Sequence, residues 1–150
     1  MSPTCAFIDS NLLVLLVVGS VDRGLIPRHR RSRRFSPDDY DRLLALLEPL
    51  DKVLVTPNTL TEASNLLLSS RDPRPMACLR ALIENTDEVV VASRTAAQSR
   101  LFDRLGLTDA ALLEVVSAES PLITVDFDLY GAALAKGAGV AVNFAHFQDW

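Results

Sequence analysis

The chain has 150 residues, 49% of them hydrophobic, and a formal net charge of -4, which is enough for one domain with a substantial core and too little for two. Its longest unbroken apolar run, Leu12 to Val18, falls far below the roughly 20 residues that a membrane span needs. Residues 1–4 bring no positive charge ahead of the first apolar stretch, and Asp9 interrupts that stretch; neither a secretory signal nor membrane contact is expected, and the expected location is the cytoplasm.

Short β-rich runs alternate with helical patterns along the chain. Thr4–Ile8 is the first strand candidate, followed by the all-apolar run Leu12–Val18, which reads as a buried helix with part of it free to face a second copy of the chain. Residues 23–34 (RGLIPRHRRSRR) then hold six arginines and no acid, while the remaining positions hold 9 basic and 19 acidic residues. A basic insertion at about 23–35 therefore sits on an acidic body.

Ser36, Pro37, Asp38 and Asp39 supply a helix cap, a proline at the first helical position and acids in the first turn; Tyr40, Leu43, Leu44 and Leu47 form one face, and Pro49 ends the helix. Lys52–Val55 is the second strand. Thr56-Pro57 and Asp72-Pro73 repeat the cap-then-proline signal, predicting helices over 57–70 and 73–84. Glu88–Ala92, Leu122–Val125 and Val140–Val142 are the remaining strands, with Ser93 and Thr108 as further caps and Gly137 closing the helix after Asp126. Five short strands separated by crossover-length segments predict an α/β domain with a parallel sheet covered on both faces. Phe144, Phe147 and Trp150 recur every three residues, as in one helical turn sealing the core or, less in keeping with the pattern, an exposed dimer patch. Cys5 and Cys78 are too few and too far apart for a metal motif and read as reduced core residues; His29 and His146 read as surface residues.

Four carboxylates occupy comparable places: Asp9 directly after strand one, Glu62 inside the helix after strand two, Asp109 at a helix start and Asp126 directly after strand four. Strand ends of a parallel sheet gather along one edge, so Asp9 and Asp126 can meet across the 117 positions between them. Each acid alone has an ordinary explanation: Asp9 and Asp126 as helix caps, Asp109 as a complement to a helix dipole, Glu62 as a solvated side chain. Jointly they point to a hard divalent cation, because carboxylates about 4 Å apart repel by roughly 4 kcal/mol at an effective dielectric near 20. Mg²⁺ or Mn²⁺ relieves that conflict, and it supports phosphodiester hydrolysis by activating water and offsetting charge on a phosphoryl oxygen.

The same residues resemble the PIN-domain nucleases, best known through VapC-type toxins. FIDSNLL is similar to the family's opening strand and Asp-Thr/Ser-Asn motif, giving Asp9, Ser10 and Asn11; TPNTLTEASNLL resembles the segment bearing its helix-borne glutamate, here Glu62. GLTDAALLEV resembles the segment with the third acid, Asp109, and LITVDFDLYGAALAKGAGVAVNF the closing strand, turn, helix and strand, with Asp126 as fourth acid and Asp128 as an auxiliary metal ligand. The resemblance runs from Phe7 to Phe144 and implies a three-layer domain with a five-stranded parallel sheet. It implies metal-dependent endonucleolytic cleavage of RNA, with Mg²⁺ or Mn²⁺ held by the four acids and with Ser10, Asn11 and Thr124 close behind them. A cognate antitoxin is an expected partner, and a homodimer stays open. The chain departs from the family in its long, arginine-rich stretch before Ser36 and in Phe127 and Tyr130, which make the turn after Asp126 more aromatic than the usual charged version.

Arg28, Arg30, Arg31, Arg33 and Arg34 suit phosphate contact, since a guanidinium donates two hydrogen bonds to phosphate oxygens. They fit equally a mobile solvated loop or a dock for an acidic partner. Two other functions compete: a catalytically silent PIN-like scaffold that binds RNA or protein through the arginine arm, and a receiver-like phosphoacceptor. The latter expects a lysine by the last strand, whereas Lys136 lies in the preceding helix and Lys52 is the only other lysine.

Overall fold

A computed structural model describes residues 2–148. In chain order the elements are β1 (Cys5–Ile8), α1 (Ser10–Val21), α2 (Pro37–Leu47), β2 (Lys52–Val55), α3 (Pro57–Leu67), α4 (Arg74–Asn85), β3 (Asp87–Glu88), α5 (Ser93–Ala97), α6 (Phe102–Leu105), α7 (Leu107–Val115), β4 (Leu122–Thr124), α8 (Phe127–Leu134) and β5 (Ala141–Asn143). The five strands make one all-parallel sheet in the order β3-β2-β1-β4-β5. The chain thus winds outward from β1 through β2 to β3, then crosses back to start again on the other side of β1. The gap outside the carboxyl ends of β1 and β4 is the switch point where open α/β sheets form ligand sites.

Strand side chains alternate between the two covered faces. Ala6, Ile8, Val55 and Ile123 join the core under α1 to α4, and Phe7, Leu54 and Leu122 join the core under α7 and α8. The register sets Phe7 between Leu54 and Leu122, one layer below the residues that end the strands. Helix α1 is enclosed by the sheet, α2, α3 and α4, so every residue from Leu12 to Val18 is buried and none is left for a second copy of the chain. At Gly19 it meets α2. A methyl group at Gly19 would lie 2.5 and 2.6 Å from Cγ and Cε2 of Tyr40, so only glycine lets the ring pack there.

Strand β3 stops at Glu88, earlier than the sequence predicts. The Val89 N–H donates to the Val55 carbonyl at 2.8 Å, and the chain then leaves the sheet edge toward α5 with Val90 73% exposed. Valine favours extended backbone, but a strand also needs a neighbour, and none continues there. Helix α3 ends at Leu67 and α8 at Leu134, both short of the expected ends. Helix α5 starts one residue and α7 two residues before the expected first helical position, since Ser93 and Thr108 lie inside the helices and Ala92 and Gly106 stand at the caps.

The arginine-rich stretch is a wound series of turns rather than a mobile loop. Ile26, His29, Ser32 and Phe35, every third residue, are buried, while Arg28, Arg30, Arg31, Arg33 and Arg34 face solvent. Backbone bonds from Ser32 to His29 and from Phe35 to Ser32, with the Ser32 hydroxyl donating to the Ile26 carbonyl at 2.9 Å, close the turns. His29 is therefore an interior residue, in contrast to the surface position expected of it. Its Nδ1 accepts from the Arg31 N–H at 3.1 Å, and burial lowers its pKa. Two apolar residues among six arginines hide this three-residue period from a count of hydrophobicity.

Phe144 is buried in the three-ten turn Phe144–Phe147, but Phe147 is 45% exposed, and Trp150 lies outside the described residues. Cys5 and Cys78 are free and half-buried. No helix among the described residues is long and apolar enough to cross a membrane.

Candidate active site

The site begins with β1. Asp9 follows the last residue of that strand, and its N–H still donates to the Ile123 carbonyl of β4, at 3.3 Å. The carboxylate caps α1 by accepting from the Leu12 N–H at 3.1 Å, as an aspartate at a helix start does. Its other oxygen accepts from the hydroxyl of Thr124, the last residue of β4, and the same hydroxyl accepts from the Asp126 N–H at 2.9 Å. Asp126 in turn caps α8 through the Leu129 N–H at 3.0 Å. Thr124, fully buried, thereby ties the two strand-end acids into one unit.

The other two acids arrive on helices. Glu62 lies in the second turn of α3, whose start is fixed by Thr56 accepting from the Thr59 N–H at 3.1 Å. Asp109 lies in the first turn of α7, behind Gly106, whose φ of 85° and ψ of 175° belong to a region open to glycine alone. Asp9, Glu62, Asp109 and Asp126 line one cavity of about 270 Å³, together with Ser10, Asn11, Thr108 and Gly106. A larger groove, about 800 Å³, lies between α3 and α4, lined by Leu60, Met76, Ile83 and others. That groove is mainly apolar and gathers none of the four acids.

The electrostatics of the small cavity are unbalanced. No lysine, arginine or histidine lines it, and none of the four acids forms an ion pair among the described residues. Asp9 is 5% exposed, and burial pushes its pKa up to about 6 against the opposing bonds from Thr124, Leu12 and Val125. Asp109 is pushed up to about 7, first by burial and then by the negative charges of Asp126, Glu62 and Asp9. Asp109 thus senses all three of the other acids, although they come from three different elements.

Chemically, such a set favours protons or a cation. Among the described residues no three Asp, Glu, His or Cys side chains are arranged to hold a metal ion by themselves. The donors fit a hard ion that keeps part of its water shell, as Mg²⁺ does when one or two carboxylates bind it directly and others act through water. Soft-metal ligands are missing from the cavity lining.

Other residues singled out in the sequence lie apart. Asp128 is exposed and lines a neighbouring cleft rather than the acidic cavity, and none of Arg28, Arg30, Arg31, Arg33 and Arg34 lines the acidic cavity. The arm starts beyond the far end of the twelve-residue α1, about 18 Å along its axis from Ser10. Lys136 donates to the Leu113 carbonyl and, at 2.8 Å, to that of Val116, capping α7 instead of facing the acids. A receiver-like site has no lysine here. Gly106 was legible only as the first letter of GLTDAALLEV; the glycine before the predicted cap was the signal for it.

Thr124→Val keeps the shape of the side chain and deletes its hydroxyl. Asp9 then loses a donor and the Asp126 N–H an acceptor, so a loss of about 1–3 kcal/mol is expected in chemical unfolding. The Asp9 pKa should rise further in a carboxyl NMR titration. An unchanged titration would show that Thr124 does not hold this carboxylate.

No protein-family model matches the chain, and no curated protein matches it significantly.

Proposed function

We propose that this chain is a Mg²⁺- or Mn²⁺-dependent endoribonuclease and, from the order of its PIN-like motifs, the toxin of a type II toxin–antitoxin pair. The observation that carries the reading is the convergence of Asp9, Glu62, Asp109 and Asp126, without a compensating cation, on one small polar cavity at the switch point of the sheet. Asp9 and Asp126, held by helix-cap bonds and by Thr124, are the rigid ligands for the ion. Glu62 and Asp109, on separate helices, complete the acidic wall and accept hydrogen bonds from water inside it. When bound, the ion lowers the pKa of a coordinated water and offsets charge on the phosphoryl oxygen. Ser10 and Asn11 supply neutral polar contacts along the same wall.

The five arm arginines are outside the cavity, so they would meet RNA well away from the scissile phosphate. Replacing Arg28, Arg30, Arg31, Arg33 and Arg34 by Ala is expected to weaken binding of long RNA and flatten its salt dependence, since each neutralised phosphate releases counterions. The metal response should stay intact. An unchanged affinity and salt slope would leave the arm as the docking surface for an acidic partner such as an antitoxin tail.

One observation favours a second reading, a catalytically silent scaffold: among the described residues no three carboxylates are arranged to hold an ion unaided. Incubation of total cellular RNA with the parent and with Asp9→Asn, in Mg²⁺, Mn²⁺ or EDTA, separates the two. Metal-dependent cleavage by the parent alone supports the nuclease; no cleavage under any condition supports the scaffold.

A further inference from the structure

Beside the acidic cavity, across a shared wall, lies a cleft of about 390 Å³ lined by Arg100, Leu101, Arg104, Phe127, Asp128 and Gly131, among others. The wall is made by α6 and the first turns of α8. On α6, Leu105 faces the acidic side and Arg104 the cleft; on α8, Asp126 and Leu129 face the acidic side, and Phe127, Asp128 and Gly131 face the cleft.

Leu101 and Ala132 of this cleft pack against the core, but its aromatic and basic side chains do not. Phe127 is 77% exposed, whereas Phe7, Phe35 and Phe144 are buried. Arg100 and Arg104 are exposed and make no hydrogen bond or ion pair among the described residues, unlike Arg23 and Arg74, which are clamped to Asp41 and Asp72. Gly131, one turn after Phe127, has nothing within 4 Å of the place its Cβ would take, so no neighbour requires a glycine there. A single solvated aromatic is ordinary on any surface. An aromatic face, an open glycine floor and two free guanidinium groups in one cleft, one residue from a candidate metal ligand, are a different matter.

We propose that this cleft is a nucleotide subsite for single-stranded RNA, next to the phosphate that enters the acidic cavity; the inference rests on the nuclease reading above. Phe127 stacks on the base, an interaction worth about 1–3 kcal/mol per base and tolerant of base identity. Arg100 and Arg104 bind the flanking phosphates, which the acidic cavity would otherwise repel. Asp128 repels phosphate but accepts from an exocyclic amino group, so the subsite prefers cytosine or adenine to uracil. The aromatic turn and Asp128 thereby act in substrate selection, separately from the metal ligands.

The test measures binding of fluorescein-labelled oligocytidine, oligoadenosine and oligouridine to the full-length Asp9→Asn chain by anisotropy over a range of salt, with cleavage by the parent chain assayed in parallel. Adding Phe127→Ala should weaken binding roughly 5- to 150-fold, whereas Phe127→Trp should retain it. Replacing Arg100 and Arg104 by Ala should reduce the salt slope by about 1.4, or about 0.7 for each single-strand phosphate that is no longer neutralised. Asp128→Asn should narrow the preference for amino-bearing bases. Phe127 is exposed, so folding should be unaffected, and a melting curve checks this. If the parent cleaves RNA while Phe127→Ala binds as tightly as before, the subsite is refuted and the nuclease reading stands; the exposed ring would then belong to a protein interface. A chain that neither binds nor cleaves RNA refutes both.

Discussion

Asp9→Asn is expected to reduce RNA cleavage at least about 100-fold while melting at or above the temperature of the parent at pH 7.5. The two halves of this result have different causes. Loss of cleavage follows from removing one negative ligand at the most rigid point of the cavity, where partners behind metal ligands are alone worth about 10- to 100-fold. Preserved folding follows from the capping geometry, since asparagine caps a helix as well as aspartate and can still accept from the Leu12 N–H. The gain in stability follows from burial: at pH 7.5 the parent must ionise a carboxyl whose pKa is about 6 in a 5% exposed position, at a cost of about 3 kcal/mol relative to the unfolded chain. At pH 5 the folded parent carboxyl is mostly protonated and about half of the difference should be gone, the rest disappearing only as the pH falls below about 4, where the unfolded chain is protonated too. If Asp9→Asn cleaved RNA as fast as the parent, Asp9 would not be a ligand. If it melted well below the parent at pH 7.5, its carboxylate would be a structural asset rather than an electrostatic burden.

The second large effect concerns the metal-free protein as pH changes. Asp9 and Asp109 both have folded-state pKa values raised above the usual 3.8, to about 6 and about 7, so the folded chain binds more protons than the unfolded chain between pH 4 and 7. Their contribution to stability is therefore fully present below pH 4 and is lost as pH rises through 6 and 7. Asp72 behaves oppositely: its bonds to Arg74 hold its pKa down at about 2, and what it contributes is lost only as pH falls below 4, outside this window. In EDTA the melting temperature should consequently fall between pH 5 and pH 8. Saturating Mg²⁺ or Mn²⁺ should restore it at pH 8, because an ion bound only by the folded state stabilises by mass action. At 100 times its dissociation constant that amounts to about 2.7 kcal/mol, or roughly 5–10 °C for a domain of this size. At pH 5 protons compete for the same oxygens, and the metal shift should shrink. A metal shift of equal size in Asp9→Asn would place the ion elsewhere, and no shift in the parent at pH 8 would favour the scaffold.

The two effects are coupled through Thr124. Its hydroxyl lowers the Asp9 pKa and orients Asp126, so it works against burial and keeps the carboxylate nearer its ionised form. The raised pKa values of Asp9 and Asp109 come first from burial and then from neighbouring negative charge, and that charge pattern is what the proposed cation site rests on.

What the sequence determined by itself was whatever depends on local chemistry and on the period of apolar residues. The Ser36 capping box with Pro37, the burial of Leu12–Val18, the five parallel strands and the placing of acids at two strand ends all follow from neighbours in the chain. What only the tertiary structure decided involves partners far apart in sequence: that Glu62 and Asp109 share a cavity with Asp9 and Asp126, that Asp128 lies across the wall from them, and that Thr124 bridges two acids. The same holds for His29, whose burial depends on turns that bring Ile26, Ser32 and Phe35 inward, and for Val90 to Ala92, whose strand-like composition finds no neighbouring strand to pair with. Propensity and capping act over a few residues, whereas a site is a meeting of elements, and the direction in which each side chain finally points is set by the packing of all of them.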